Sequence, residues 1–187
     1  MSELPDTVKP FFKTLKGRYV LVFIAAAVLY TVTCAPGLVW QDSGMIQYRV
    51  LQNDIQGRLG LALSHPLFYI IGIAVKHIPF GDPAYKVNLT NALISAFAVA
   101  NLFLLVRLWT GSARAAIIAA ITLALSHTFW RHACIPETYN LTVALLLLEI
   151  TLLLLYARNS RTACLYWLAL INGLAISNHM LAAIAFA

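Results

Sequence analysis

Apolar residues in this chain come in runs, and the runs set its architecture. Five of them are long enough to cross a bilayer as helices: roughly 18–35, 87–108, 113–130, 139–157, and a last one that starts near Ala163 and is still apolar at Ala187. A spanning helix needs about 20 predominantly apolar residues. The first run stops at Cys34-Ala35-Pro36-Gly37, where proline and glycine break helical pairing. Thr110-Gly111-Ser112 and Asn159-Ser160 read as tight turns between neighbouring helices.

The stretch from Pro36 to Lys86 does not fit that rhythm. Between Ser43 and Gly60, Tyr48, Leu51, Ile55 and Leu59 recur at helical spacing, with Gln47, Arg49, Gln52, Gln56 and Arg58 between them. That predicts an amphipathic helix, too polar to span, lying in the membrane interface. Pro66 to Ile78 is a second apolar piece ending in Lys76 and His77. It either lies in the interface or crosses short. Basic residues weigh between these. With no crossing, Lys9, Lys13, Lys16, Arg18, Arg107, Arg114, Arg158 and Arg161 fall inside, against Arg49, Arg58, Lys76, Lys86 and Arg131 outside. With a crossing the split is seven to six. Positive-inside bias favours the first. The expected fold is therefore an all-α polytopic membrane protein. It has about five transmembrane helices and two in-plane juxtamembrane helices in the first outer loop.

Composition agrees. Charged residues make up 11% of the chain and hydrophobic ones 61%, with mean hydropathy +0.80. A soluble domain carries about 25% charged residues. The net charge of +6 sits beside apolar spans, so topology and lipid headgroups explain it; no nucleic-acid motif is present. The basic N-terminus before Tyr19–Thr33 is like a signal peptide but has no clear cleavage site. The expectation is an uncleaved first helix, with residues 1–17 a cytoplasmic tail and 18–187 the membrane module, in a multi-pass membrane protein. The chain stops in mid-pattern at Ala187, so it is expected to be the N-terminal part of a longer one. Cys34, Cys134 and Cys164 form no CxxC framework. Cys34 and Cys134 fall on the same outer face, as a pair or simply as small apolar residues.

The chemistry-bearing residues also gather at that face. Asp42 is a general base there, or it or Ser43 caps the helix that follows. His65, before Pro66, contacts a phosphate, orients the acid, or simply precedes a helix start. Glu137 follows Arg131 and His132 and either adds to an acidic site or meets the dipole of the helix it opens. Asn178 and His179 lie inside an apolar run, where ionisable residues are rare and face a cavity or a partner. Glu149 lies deep in its helix without an assigned role. Asn88-Leu89-Thr90 and Asn140-Leu141-Thr142 match a glycan acceptor pattern but lie close to the bilayer. No ligand spacing points to a metal.

The ordered set of motifs carries a resemblance. It runs Trp40-Gln41-Asp42-Ser43-Gly44, an amphipathic helix, His65-Pro66, Gly81-Asp82-Pro83, Val87-Asn88-Leu89-Thr90-Asn91-Ala92-Leu93, Ser126-His127-Thr128-Phe129-Trp130, Glu137-Thr138-Tyr139 and Asn178-His179. Over about 36–182 this resembles a bacterial membrane family related to the eukaryotic transmembrane O-mannosyltransferases, with the GT-C glycosyltransferase fold. The resemblance implies a sugar donor carried on polyprenyl phosphate and an acid in the first outer loop, the position of Asp42. It also implies a second outer acid near Glu137. His65, Lys86, Arg131, His132, Asn178 and His179 become the candidates for substrate and phosphate binding; no cofactor is implied, and the acceptor is unnamed. Two departures stand out: Leu67 replaces a second proline after His65-Pro66, and Met45-Ile46 stand where a second acid often follows. The rival readings are a membrane transporter and a non-catalytic scaffold.

Overall fold

The structure, a computed structural model, describes residues 14–186. Most of the expected cytoplasmic tail, with Lys9 and Lys13, lies outside the described residues. Helix α1 spans Leu15–Thr33, α2 Gln41–Leu51, α3 Pro66–Lys76, α4 Pro83–Thr110, α5 Ala113–Leu125, α6 His127–Ala133, α7 Thr138–Asn159 and α8 Thr162–Asn178. Short 3₁₀ segments lie at Leu61–Leu63 and Met180–Phe186. Helices α1, α4 and α7 are long and apolar enough to cross a membrane, and α5 with α6 makes a fourth span if that pair, bent by 66°, counts as one. Length and composition thus give three or four spans where the run lengths suggested five.

Helix α4 is the post of the bundle, packed against α1, α5, α7 and α3. Small residues permit this. Ala92 and Ala96 on α4 and Ala116, Ala120 and Ala124 on α5 are buried in one core, repeating every fourth residue so that backbones approach closely. Polar side chains add interhelical bonds: Tyr30 Oη donates to Ala124 O (3.0 Å), and Tyr19 Oη donates to Asn101 Oδ1 (2.9 Å). The turns lie where expected. Asp82 accepts from Tyr85 N with Pro83 at the first helical position, Ser112 accepts from Ala115 N, and Gly111 takes the left-handed conformation at φ 72°.

Three elements differ from the sequence expectation. The amphipathic helix ends at Leu51, not Gly60, because the chain turns back around Arg49. Asn53 is left-handed (φ 57°), Asp54 Oδ1 accepts from Gly57 N (2.7 Å), and Arg49 donates to Ile55 O and pairs with Asp54 at 3.3 Å. Its inward stripe is Ser43, Ile46, Gln47 and Val50, while Tyr48 faces out. The run at 113–130 is broken at Ser126, which is extended (ψ 130°), and α6 turns away across the end of the bundle. The last run leaves the α-helix after Asn178: His179 is extended (φ −154°) and a 3₁₀ segment follows.

Candidate functional site

One end of the bundle collects the C-terminal ends of α1 and α8, the N-terminal ends of α4 and α7, and all of α2, α3 and α6. Buried amides fasten it. Gln47 accepts from Val39 N (3.0 Å) and donates to Asn88 Oδ1 (2.6 Å) and Gly37 O (3.1 Å); Asn88 in turn donates to Ala35 O and Gly37 O, both at 2.8 Å. These bonds fix the loop that leads into Asp42. Asn91 does the same for the loop leading into Glu137, donating to His132 O (2.6 Å) and Ile135 O (2.5 Å). Asn88 is fully buried and Asn140 nearly so, with its amide on Ser95 Oγ, so neither presents a glycan acceptor.

Asp42 stands in the first turn of α2, exposed, and its carboxylate makes no hydrogen bond or ion pair among the described residues. The capping alternative fails: Trp40 occupies the N-cap position and no side chain caps this helix. The next residue, Ser43, points inward and donates to Glu137 Oε1 at 2.8 Å. Glu137 occupies the N-cap position of α7 with no capping bond of its own. The first turn of α2 and the second acid are thus tied directly. Behind Asp42, Arg49 lies 3.8 Å over the Tyr69 ring. Burial pushes the Tyr69 phenol up, Arg49 pulls it down, and the charges of Asp54 and Asp42 push it up again.

Imidazoles and a phenol form a row across the same end. His132 stacks on Tyr139 (5.7 Å between centroids), Tyr139 faces His179 (5.8 Å), and His179 faces His65 (5.0 Å). His65 is left-handed (φ 57°), and its Nδ1 lies 2.6 Å from Asn178 O. That carbonyl can only accept, so Nδ1 carries the proton and Nε2 is left as an acceptor. His179 is the reverse: Nδ1 accepts from Leu181 N (3.3 Å), leaving Nε2 as the donor of the neutral ring. Both line a pocket of about 250 Å³ with Leu63, Ser177, Asn178 and Met180. Burial, and secondarily the charge of His65, hold His179 below the usual imidazole pKa.

The other expected residues fall as follows. Asn178 is fully buried, and its amide donates to Thr138 O and Thr142 Oγ1, both at 2.9 Å, which ties α8 to α7. Arg131 is exposed at the end of α6. Lys86 lies apart from the row. It is buried, and its amine donates to Lys76 O (2.7 Å) and Ile78 O (2.8 Å), closing the last turn of α3 rather than facing the histidines. Glu149 accepts from Asn172 Nδ2 (3.2 Å), a buried contact between α7 and α8. Among the described residues no three His, Cys, Asp or Glu side chains gather so as to hold a metal ion. Sequence reasoning named Ser43 only as a helix cap and gave Gln47, Asn91, Arg49 and Tyr139 no role at this end. The available signal was polarity at inward helical positions: Ser43, Ile46, Gln47 and Val50 follow i, i+3, i+4, i+7.

These features define a helical membrane protein with acids and imidazoles gathered at one end. Residues 62–187 match the family described as the protein O-mannosyl-transferase TMEM260 N-terminal domain, and the chain belongs to that family. It is 31% identical over 128 residues to the mouse (Mus musculus) protein O-mannosyl-transferase TMEM260, covering 68% of this chain and 18% of that protein. It is 25% identical over 146 residues to the Dictyostelium discoideum protein of that name, covering 73% of this chain and 17% of that one. The chain therefore spans under a fifth of the length of these relatives. No solved structure matches it. Glu137 and the histidine row lie inside the family match; Asp42 lies before it.

Proposed function

We propose that this chain is the acceptor-side module of a GT-C-type, inverting mannosyltransferase that uses a polyprenyl-phosphate sugar at the extracytoplasmic face of a bacterial inner membrane. In this reading the chain is multi-pass with its N-terminus in the cytoplasm, and α2 and α3 are the in-plane helices of the first outer loop. Membership of a family whose named relatives are O-mannosyl-transferases supports sugar transfer. The observation that carries the assignment of the site is the Ser43–Glu137 hydrogen bond, which sets the Asp42 turn against the second acid.

The acceptor hydroxyl gives its proton to Asp42 as its oxygen bonds to the anomeric carbon. The bond from that carbon to the phosphate oxygen breaks, and polyprenyl phosphate leaves with the electron pair. General-base help of this kind contributes about 10²–10⁴-fold. Glu137 positions the turn through Ser43. Arg131, His132 and the Nε2–H of His179 are donors for the leaving phosphate, while His65 Nε2 accepts from a sugar hydroxyl. Lys86, capping α3, serves by holding that helix in place.

The test is Asp42→Asn in the full-length protein, assayed for transfer from a polyprenyl-phosphate sugar. The expected result is a loss of about 10²-fold or more with unchanged expression and thermal unfolding. A wild-type rate would remove Asp42 as the base.

A further inference from the structure

Two of the three cysteines, a hundred residues apart in sequence, meet at the site end. Ala35 N donates to Cys134 O at 2.9 Å, and Cys134 Sγ lies 3.2 Å from Thr33 Oγ1. Residues 33 and 35 flank Cys34, so α1 hands its cysteine directly to the one that ends α6. Standard backbone dimensions across the 2.9 Å hydrogen bond hold the two Cα atoms within ~8 Å, next to the range of about 4.4–6.8 Å that a disulfide spans. Both side chains are thiols here, Cys34 buried and Cys134 partly open. Cys134, the more open of the two, is the sulfur that an outside oxidant reaches first, while burial, with the Cys134 thiol close by, pushes the Cys34 thiol up to about 11.

We propose that Cys34 and Cys134 form a disulfide that ties the exit of α1 to the loop presenting Glu137. Its oxidant is a protein dithiol–disulfide donor of the kind found in oxidising compartments. The Cys134 thiolate attacks one donor sulfur and the other leaves as a thiolate. Cys34, losing its proton, then attacks the Cys134 sulfur of the mixed disulfide and frees the second donor thiol. Two chain thiols are oxidised, one donor disulfide is reduced, and two protons pass to the released thiolates. The bond strands no polar group. When Cys134 Sγ leaves Thr33, the Thr33 hydroxyl keeps Leu29 O (2.8 Å) as acceptor and Trp130 Nε1 (3.0 Å) as donor. Cys164, in the first turn of α8 at the other end of the bundle, has no such neighbour among the cysteines and remains a thiol.

The proposal does not depend on sugar transfer, only on this end facing an oxidising compartment. The experiment takes the full-length protein in its native membrane and blocks thiols with N-ethylmaleimide at lysis. The denatured protein is then reduced and labelled with a PEG-maleimide. The expected result for residues 34, 134 and 164 is blocking of Cys164 alone, then a two-label mobility shift that needs reductant. A peptide linking residues 34 and 134, two hydrogen masses lighter than the reduced pair, accompanies it. Cys134→Ser should leave Cys34 open to the first block. Alkylation of all three cysteines at lysis overturns the proposal, and so does a Cys34 that stays protected in Cys134→Ser.

Discussion

Ser43 shows how a residue of ordinary type becomes decisive through its position. Its hydroxyl joins two segments 94 residues apart, and the partner is a carboxylate that is partly open to solvent. Ser43→Ala removes that bond and should lower stability by about 1 kcal/mol. Transfer should fall more than unfolding predicts, because the Asp42 turn loses its tie. A thermal scan alongside initial rates checks both, and equal rates would show that Glu137 does not position the turn. His179 supplies a pH prediction. Its folded pKa lies below the ordinary imidazole value, so in the acid range the unfolded chain binds more protons than the folded one. Its contribution is present above about pH 6.5 and is lost as pH falls from there through the lower folded value. Denaturant midpoints measured from pH 8 to 5 should fall on the acid side, and His179→Gln should flatten that fall. The sequence showed Asp42, His65, Glu137 and His179 as candidates by type and place. It did not show that Lys86 would be drawn to the carbonyls of Lys76 and Ile78. Which carbonyls end up unpaired depends on where α3 stops.

At the scale of elements, α2 explains why some boundaries were legible and others were not. Periodicity located a helix here, yet the apolar stripe of Tyr48 and Leu51 turns outward and a half-polar stripe turns in. Inside a membrane protein the inward face need not be the apolar one, because buried amides can answer one another while lipid accepts the greasy face. The end at Leu51 was written in Asn53-Asp54 and in Gly57, whose added Cβ would meet the Arg49 guanidinium at 2.8 Å. The break at Ser126 carries no proline or glycine and so gave no local warning. The start of α2 makes a sharp prediction. A Cβ on Gly44 would lie 2.3 Å from Val39 O, which is backbone and cannot swing aside, whereas a Cβ on Gly37 meets nothing within 4 Å. Gly44→Ala should therefore cost about 1–3 kcal/mol and disturb the turn holding Asp42. Gly37→Ala should stay within about 0.5 kcal/mol. Thermal unfolding of the two variants in one detergent separates them, and equal midpoints would mean α2 starts otherwise.

For the whole molecule the question is which side of the membrane the site end faces, because both the sugar-transfer reading and the disulfide need one answer. Alternating helix directions put the loop before α2, the start of α4, α6 and the end of α8 together; the α4–α5 and α7–α8 turns lie at the other end. The sequence reached this arrangement from its turns and its basic residues. The joining of the His65, His179, Tyr139 and His132 rings emerged only when α3, α6, α7 and α8 were packed. Positive-inside bias of the basic residues carries the expectation that Asp42 is extracytoplasmic. The prediction uses two exposed positions, Trp40, 92% exposed in the loop before Asp42, and Gly111 in the α4–α5 turn. In a background with the native cysteines changed to serine, a single cysteine at Trp40 should react with a membrane-impermeant maleimide in intact cells. One at Gly111 should react only after permeabilisation. The reverse pattern would put the acids and histidines in the cytoplasm, where thiols stay reduced, and would remove both the extracytoplasmic donor and the disulfide. Labelling of both from outside would mean that α4 does not cross the membrane, and the bundle built on it would have to be redrawn.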